Sequence, residues 1–192
     1  MRIVRPAVVA ASLLALSLPM RAQDSLAVKR LETGGFSIQQ KITVPVTPDV
    51  AYDLATGDLS GWWDHKFSER PAQFCLEPRA GGGFWELYDD AGNGVRHAVV
   101  IFAQRGRLLR FEGPLGLTGN AIQMIHTYEF AAAAGGGTEL TLTVNAAGQL
   151  EAAWPQLVAG GWQHFLARYR DYVVAFHASG ARDERPTTCR PR

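Results

Sequence analysis

The chain has 192 residues, 19 basic against 18 acidic side chains and a formal net charge of +1. That balance leaves no electrostatic footprint for nucleic acid, and the basic residues do not gather on one face. Its length suits one domain with a substantial core, and two cysteines far apart do not make a zinc site.

Arg2 and Arg5 precede an uncharged run from Ala7 to Leu18, and Pro19-Met20-Arg21-Ala22 ends on a small residue. This is the plan of a signal peptide over residues 1–22, and the apolar run is short for a permanent span. An uncleaved N-terminal anchor is the alternative. Cleavage is expected to start the mature chain at Gln23 and send it to the periplasm or the exterior. It removes Arg2, Arg5 and Arg21 and no acid, which moves the charge from +1 to −2. No lipoprotein anchor is expected, because no cysteine follows the run. No later apolar segment is long enough to span a membrane, so no integral anchor is expected after cleavage.

Residues 23–35 read as a linker. From Phe36 to Val44, apolar Phe36, Ile38 and Ile42 alternate with polar Ser37, Gln39 and Lys41, which predicts the first strand. Pro45 and Pro48 end it. Thr47 sits at an N-cap with Pro48 in the first turn, and Val50, Ala51, Leu54 and Ala55 recur at helical spacing. Gly57 breaks that helix. A second short helical piece is expected over 58–64, carrying Trp62 and Trp63.

A meander follows, with strands expected at 72–78, 82–88, 95–103, 107–113, 122–131 and 138–146. Asp89 to Gly94 and Gly135-Gly136-Gly137 supply residues suited to tight turns. Ile122, Met124, His126, Tyr128 and Phe130 share one face of their strand, as do Leu140, Leu142 and Val144 of the next. A sheet with one apolar face needs a covering layer. Trp162, Phe165, Leu166, Tyr169 and Val173 supply it as a helical stripe. Pro155 falls in that helix's first turn, Gly160-Gly161 offers a bend or a close approach to a strand, and Gly180 closes it. The domain is expected over 36–178. Residues 179–192 read as a mobile polar tail.

This order of elements resembles the helix-grip fold of the START-like (SRPBCC, pollen-allergen-type) superfamily. The branch it is similar to is named for the activator of the Hsp-ninety ATPase. The residues that carry the resemblance are Trp62-Trp63, Gly82-Gly83-Phe84, Arg107-Leu108-Leu109-Arg110-Phe111, Thr138-Glu139-Leu140-Thr141-Leu142 and Gly161-Trp162. They span roughly residues 36–176. The resemblance implies an α+β domain: a curved antiparallel sheet of about seven strands around a long C-terminal helix, with two short helices after the first strand. Family members bind hydrophobic small molecules, act as cyclases or in polyketide tailoring, or stimulate a cytosolic chaperone ATPase. A fold of this kind does not choose among those roles.

Residues expected to line a ligand cavity are Trp62, Trp63, Phe84, Glu86, His97, Phe111, Met124, His126, Tyr128, Trp162, Phe165 and Tyr169. Trp62 and Trp63 either roof a cavity mouth or pack in the core, and the core is the plainer expectation. Phe84, Glu86 and Tyr88 share a strand parity. Turned inward, Glu86 suits acid–base work; a solvated carboxylate is the plainer expectation. His126 falls between Met124 and Tyr128 on the apolar face and is the best single candidate for proton transfer or ligand orientation. A buried histidine satisfied by one neighbour is the alternative. His97 has the same capacity, but its facing is ambiguous, because both parities of its strand are apolar. His164 and His177 read as surface residues of the helix.

The sequence lacks a Gly-x-Ser-x-Gly elbow, a phosphate-binding glycine loop opening a helix, and any histidine pair at metal-ligand spacing. No metal or cofactor is therefore expected. Cys75 reads as a buried thiol, with a disulfide to Cys189 open to an exported chain. The expected function is a carrier or sensor for a small hydrophobic molecule. An enzyme using His126 or Glu86 is the runner-up, and a protein-interaction module is the third reading.

Overall fold

The computed structural model describes residues 33–180 and Cys189. The predicted signal peptide, most of the linker and most of the tail lie outside these described residues. β1 (Gly34–Val44) leads into α1 (Pro48–Leu54), followed by β2 (Gly57–Asp58), β3 (Gln73–Leu76), β4 (Gly83–Leu87), β5 (Gly94–Gln104), β6 (Leu108–Glu112), β7 (Ile122–Ala132), β8 (Thr138–Gly148) and α2 (Trp154–Ala178). A short 3₁₀ turn at Leu115–Leu117 links β6 to β7. The strands form an open antiparallel sheet in the order β1-β8-β7-β6-β5-β4-β3-β2. The fold class expected from the sequence is thus present, with eight strands rather than about seven and one short helix rather than two.

The expected second helix is absent because its backbone bonds elsewhere. Gly57 takes φ 74, and residues 57 and 58 pair with Leu76 and Cys75. The Leu59 amide then donates across to Phe74 O at 3.1 Å. Only one turn survives, in which the Trp62 and Trp63 amides both donate to Leu59 O at 3.1 and 2.9 Å.

The regular half of the sheet follows the alternation of its sequence. β7 and β8 pair over eleven residues, with His126 opposite Val144 and Tyr128 opposite Leu142. Met124, His126, Tyr128 and Phe130 are all buried, as are Leu140, Leu142 and Val144. α2 lays its predicted stripe on that face, with Trp162, Phe165, Leu166, Tyr169 and Val173 as its buried residues. Polar ties fix its position. Tyr169 donates its hydroxyl to Ala51 O at 2.6 Å, Gln40 Nε2 donates to Ala159 O at 2.8 Å, and Arg168 Nε donates to Trp62 O at 2.8 Å. Burial pushes the Tyr169 phenol far above its ordinary range, so the hydroxyl stays a donor.

Thr47 occupies the N-cap of α1, but its side chain makes no cap bond. Gly160 and Gly161 do not mark a close approach, since a Cβ at either would meet nothing within 4 Å. Cys75 is not a free thiol. It pairs with Cys189 in a disulfide with Cα atoms 5.6 Å apart, which ties Cys189 to β3. Among the described residues, no helix is long and apolar enough to cross a membrane.

Candidate functional site

β4 and β5 do not alternate simply, and that irregularity sets the chemistry of the interior. Phe84 pairs with Ala98 but Trp85 pairs with Arg96, so His97 is the extra residue of a bulge. A bulge re-aims side chains. Here it lets His97 and its neighbour Ala98 both face inward, which is why the parity of this strand was ambiguous in the sequence.

Glu86 is fully buried, against the plainer expectation of a solvated carboxylate. It is tolerated there because both of its oxygens have hydrogen-bond partners. The Phe67 amide donates to Oε2 at 3.0 Å, the Ser68 amide donates to Oε1 at 2.6 Å, and His97 Nε2 lies 3.0 Å from Oε2. The segment 65–70 therefore lies over the pair. Phe67 stacks on the His97 ring at 5.7 Å between centroids while remaining 55% exposed. Tyr88, of the same parity as Glu86, is instead exposed at the hairpin, where its amide bonds to Asn93 O at 2.7 Å.

His126 lies on the inner face as expected and is fully buried. Its Nε2 donates to Gly113 O at 3.1 Å, which leaves Nδ1 as a bare acceptor, and Nδ1 has no hydrogen-bond partner among the described residues. Burial lowers its pKa to about 4, outweighing the opposing pull of the Gly113 carbonyl, so the ring is neutral at pH 7. It stacks on Phe111 at 4.8 Å and lies 5.3 Å from the Trp162 ring. A Cβ on Gly113 would run into the His97 carbonyl, so Gly113 sits between the two buried histidines. Glu86 and His97 thus form a buried polar pair on β4 and β5, and His126 is a second buried polar group on β7.

All twelve residues predicted to line the site are buried and come together in the interior. The aromatic ones touch one another. Trp63 stacks on Phe165 at 4.1 Å and meets Phe84 and Trp162 edge-on at 5.1 and 5.5 Å. Trp62 meets Tyr169 at 5.2 Å, Phe84 meets His97 at 4.9 Å, and Phe111 meets Tyr128 at 5.5 Å. Such separations leave no space for a ligand between those particular rings. Both tryptophans are core residues, as the plainer expectation held. A groove of about 510 Å³ lies instead beside the turn joining β7 and β8, lined by Ala131 to Gly136 and by Glu139. Its one carboxylate is already bridged to Lys41 at 2.8 Å, so it offers little chemistry.

Two features escaped the sequence reading. The first is the 65–70 cover, which has no periodicity to reveal it. The second is a surface cluster in which His164, expected to be an ordinary surface residue of the helix, meets Asp64 at 2.9 Å beside His65. His164 lies 100 positions from Asp64 in the chain, beyond any test of local spacing.

No family model and no curated protein matches the chain. Solved structures do. An uncharacterised protein from Rhizobium leguminosarum is 16% identical with a TM-score of 0.59, over 76% of this chain and 98% of the other. A protein of unknown function from Staphylococcus aureus is 11% identical with a TM-score of 0.58, over 79% and 99% respectively. An AHSA1-like protein from Rhizobium etli is 20% identical with a TM-score of 0.48, over 73% and 83%. At these identities the first two show the fold alone: an α+β domain with a curved antiparallel sheet and a long C-terminal helix, as expected from the sequence.

Proposed function

We propose that this chain is an exported binding module for a small, mainly apolar molecule, which it orients with the buried imidazole of His126. The observation that carries this reading is His126 Nδ1, an unprotonated acceptor buried without a partner in an aromatic interior. Leaving such an atom unpaired costs about 1–3 kcal/mol. A molecule with one hydroxyl or N–H on an apolar body recovers that cost and buries its own surface against the rings. Because those rings touch, entry requires the 65–70 segment to swing off Glu86, taking Phe67 with it. Export is supported by the basic, apolar and small-residue succession of residues 1–22, and by a disulfide of the kind that persists in oxidising compartments.

One observation favours a second reading. Glu86 and His97, 3.0 Å apart and buried, have the composition of an acid–base pair, so the same entry route would serve an enzyme acting on an apolar substrate. The two readings differ in whether the bound molecule leaves chemically changed.

Native mass spectrometry of tag-free protein from an exporting host tests the binding reading. The expected mass lacks residues 1–22 and carries a small molecule that denaturation releases, and His126→Leu should lose most of that adduct. A bare parent protein that also fails to take up a medium-chain alcohol contradicts the proposal.

A further inference from the structure

Outside the interior, Asp64, His65 and His164 bring their ligating atoms within 4.8 Å of one another at the seam between the tryptophan turn and α2. We propose that these three side chains form a surface site for a divalent transition-metal ion of the zinc, nickel and copper class. His164 Nε2 lies 3.0 and 2.9 Å from the two Asp64 oxygens, and His65 Nδ1 lies 3.2 Å from Oδ1. Metal bonds of about 2.0–2.2 Å separate neighbouring ligands by roughly 3 Å. The two carboxylate–imidazole gaps already have that spacing. The gap between the imidazoles closes with a rotation of His65, whose side chain is 71% exposed. Two imidazoles and a carboxylate suit borderline transition metals, whereas magnesium and calcium take oxygen ligands. Water completes the shell on the open side.

The surroundings fix the backbone that carries Asp64 and His65, leaving the His65 ring free to turn toward an ion. Trp63 Nε1 donates to His65 O at 3.0 Å, the edge of His65 meets Phe165 at 4.9 Å, and Arg168 fixes Trp62 O one residue before Trp63. Arg168 Nε also lies 3.4 Å from Asp64 Oδ2. Its charge opposes a cation, which sets this site below the affinity of closed structural zinc sites. Asp64 and His65 lead directly into the 65–70 cover, so an ion here fastens the start of that cover to α2. The site stands on its own geometry and does not depend on the interior ligand.

The test uses tag-free mature protein stripped with a chelator, then titrated with zinc by calorimetry and with cobalt by visible absorption. Binding of a single equivalent of zinc is expected, with cobalt d–d bands and a melting temperature that rises with zinc and falls back on adding chelator. His65→Ala and His164→Ala should each weaken zinc binding by about tenfold or more. Their metal-free melts should stay close to the parent, because both side chains are exposed. Failure of the parent to bind zinc overturns the proposal. So does uptake that both alanine variants retain in full, since the ion would then sit elsewhere.

Discussion

The β7–β8–α2 half and the segment from Gly57 through β5 use opposite means to close the same interior. In the first, long strands alternate, a helix stripe covers them, and apolar side chains carry the packing. In the second, strands are short, a bulge turns His97 inward, and polar groups do the fastening: Glu86 to the Phe67 and Ser68 amides, and Arg168 to Trp62 O. A helix stripe can move only by giving up its whole buried apolar area, whereas the 65–70 segment is fastened to Glu86 by two local hydrogen bonds. Movement therefore belongs to the second half. A cover tied to the core by two amide bonds and topped by an exposed Phe67 can open at a smaller cost than a helix buried along its whole stripe.

The largest effect should come from breaking the apolar half. Trp162 is buried against Trp63, His126, Tyr128 and Phe165, and Trp162→Ala should cost about 3–5 kcal/mol in a chemical denaturation curve. That is a large share of the 5–15 kcal/mol typical of a domain. A parent-like curve would mean that α2 does not grip the sheet.

Protonating His126 should come next. Its folded pKa, about 4, lies below the unfolded value of about 6.5, so the unfolded chain binds the extra proton between those limits. Stability is therefore fully present above pH 6.5 and falls as the pH drops to 4, by about 3 kcal/mol in all. Melts across that window should show the decline in the parent, and His126→Leu should flatten it.

The polar half gives a smaller but more local response. Glu86→Gln should cost about 2 kcal/mol, since the amide cannot serve His97 and both backbone donors as the carboxylate does. Hydrogen exchange at Phe67 and Ser68 should speed up while β7 and β8 keep their protection. Uniform acceleration across the sheet would erase the distinction between the halves. Glu139→Gln is the control from the regular half. Its bridge to Lys41 is exposed, and its loss should cost under about 1 kcal/mol.

Legibility in the sequence divides along the same line. The stripe on α2 and the inward face of β7 could be read off because a repeated period averages over single residues, and His126 inherited its facing from four apolar neighbours. His97 could not be read, because a bulge shifts parity by one residue and leaves no mark in composition. Glu86 reads as solvated because Glu is seldom buried, and the backbone amides that satisfy it inside leave no signature of residue type. Asp58 to Asp64 looked helical from its spacing, but Leu59 bonds across to Phe74 O instead. The pairing of Cys75 with Cys189 and the meeting of Asp64 with His164 are products of topology alone.

The protonation and pairing of the His126 ring decide whether it can orient a ligand. Nitrogen-15 correlation spectra of the His126 imidazole at neutral pH should show a neutral ring with its proton on Nε2 and a bare Nδ1. On adding a medium-chain alcohol, the Nδ1 signal should move to the position of a hydrogen-bonded acceptor. A ring protonated at neutral pH, or an Nδ1 signal unmoved while the alcohol is bound, would contradict the proposal that His126 orients the ligand.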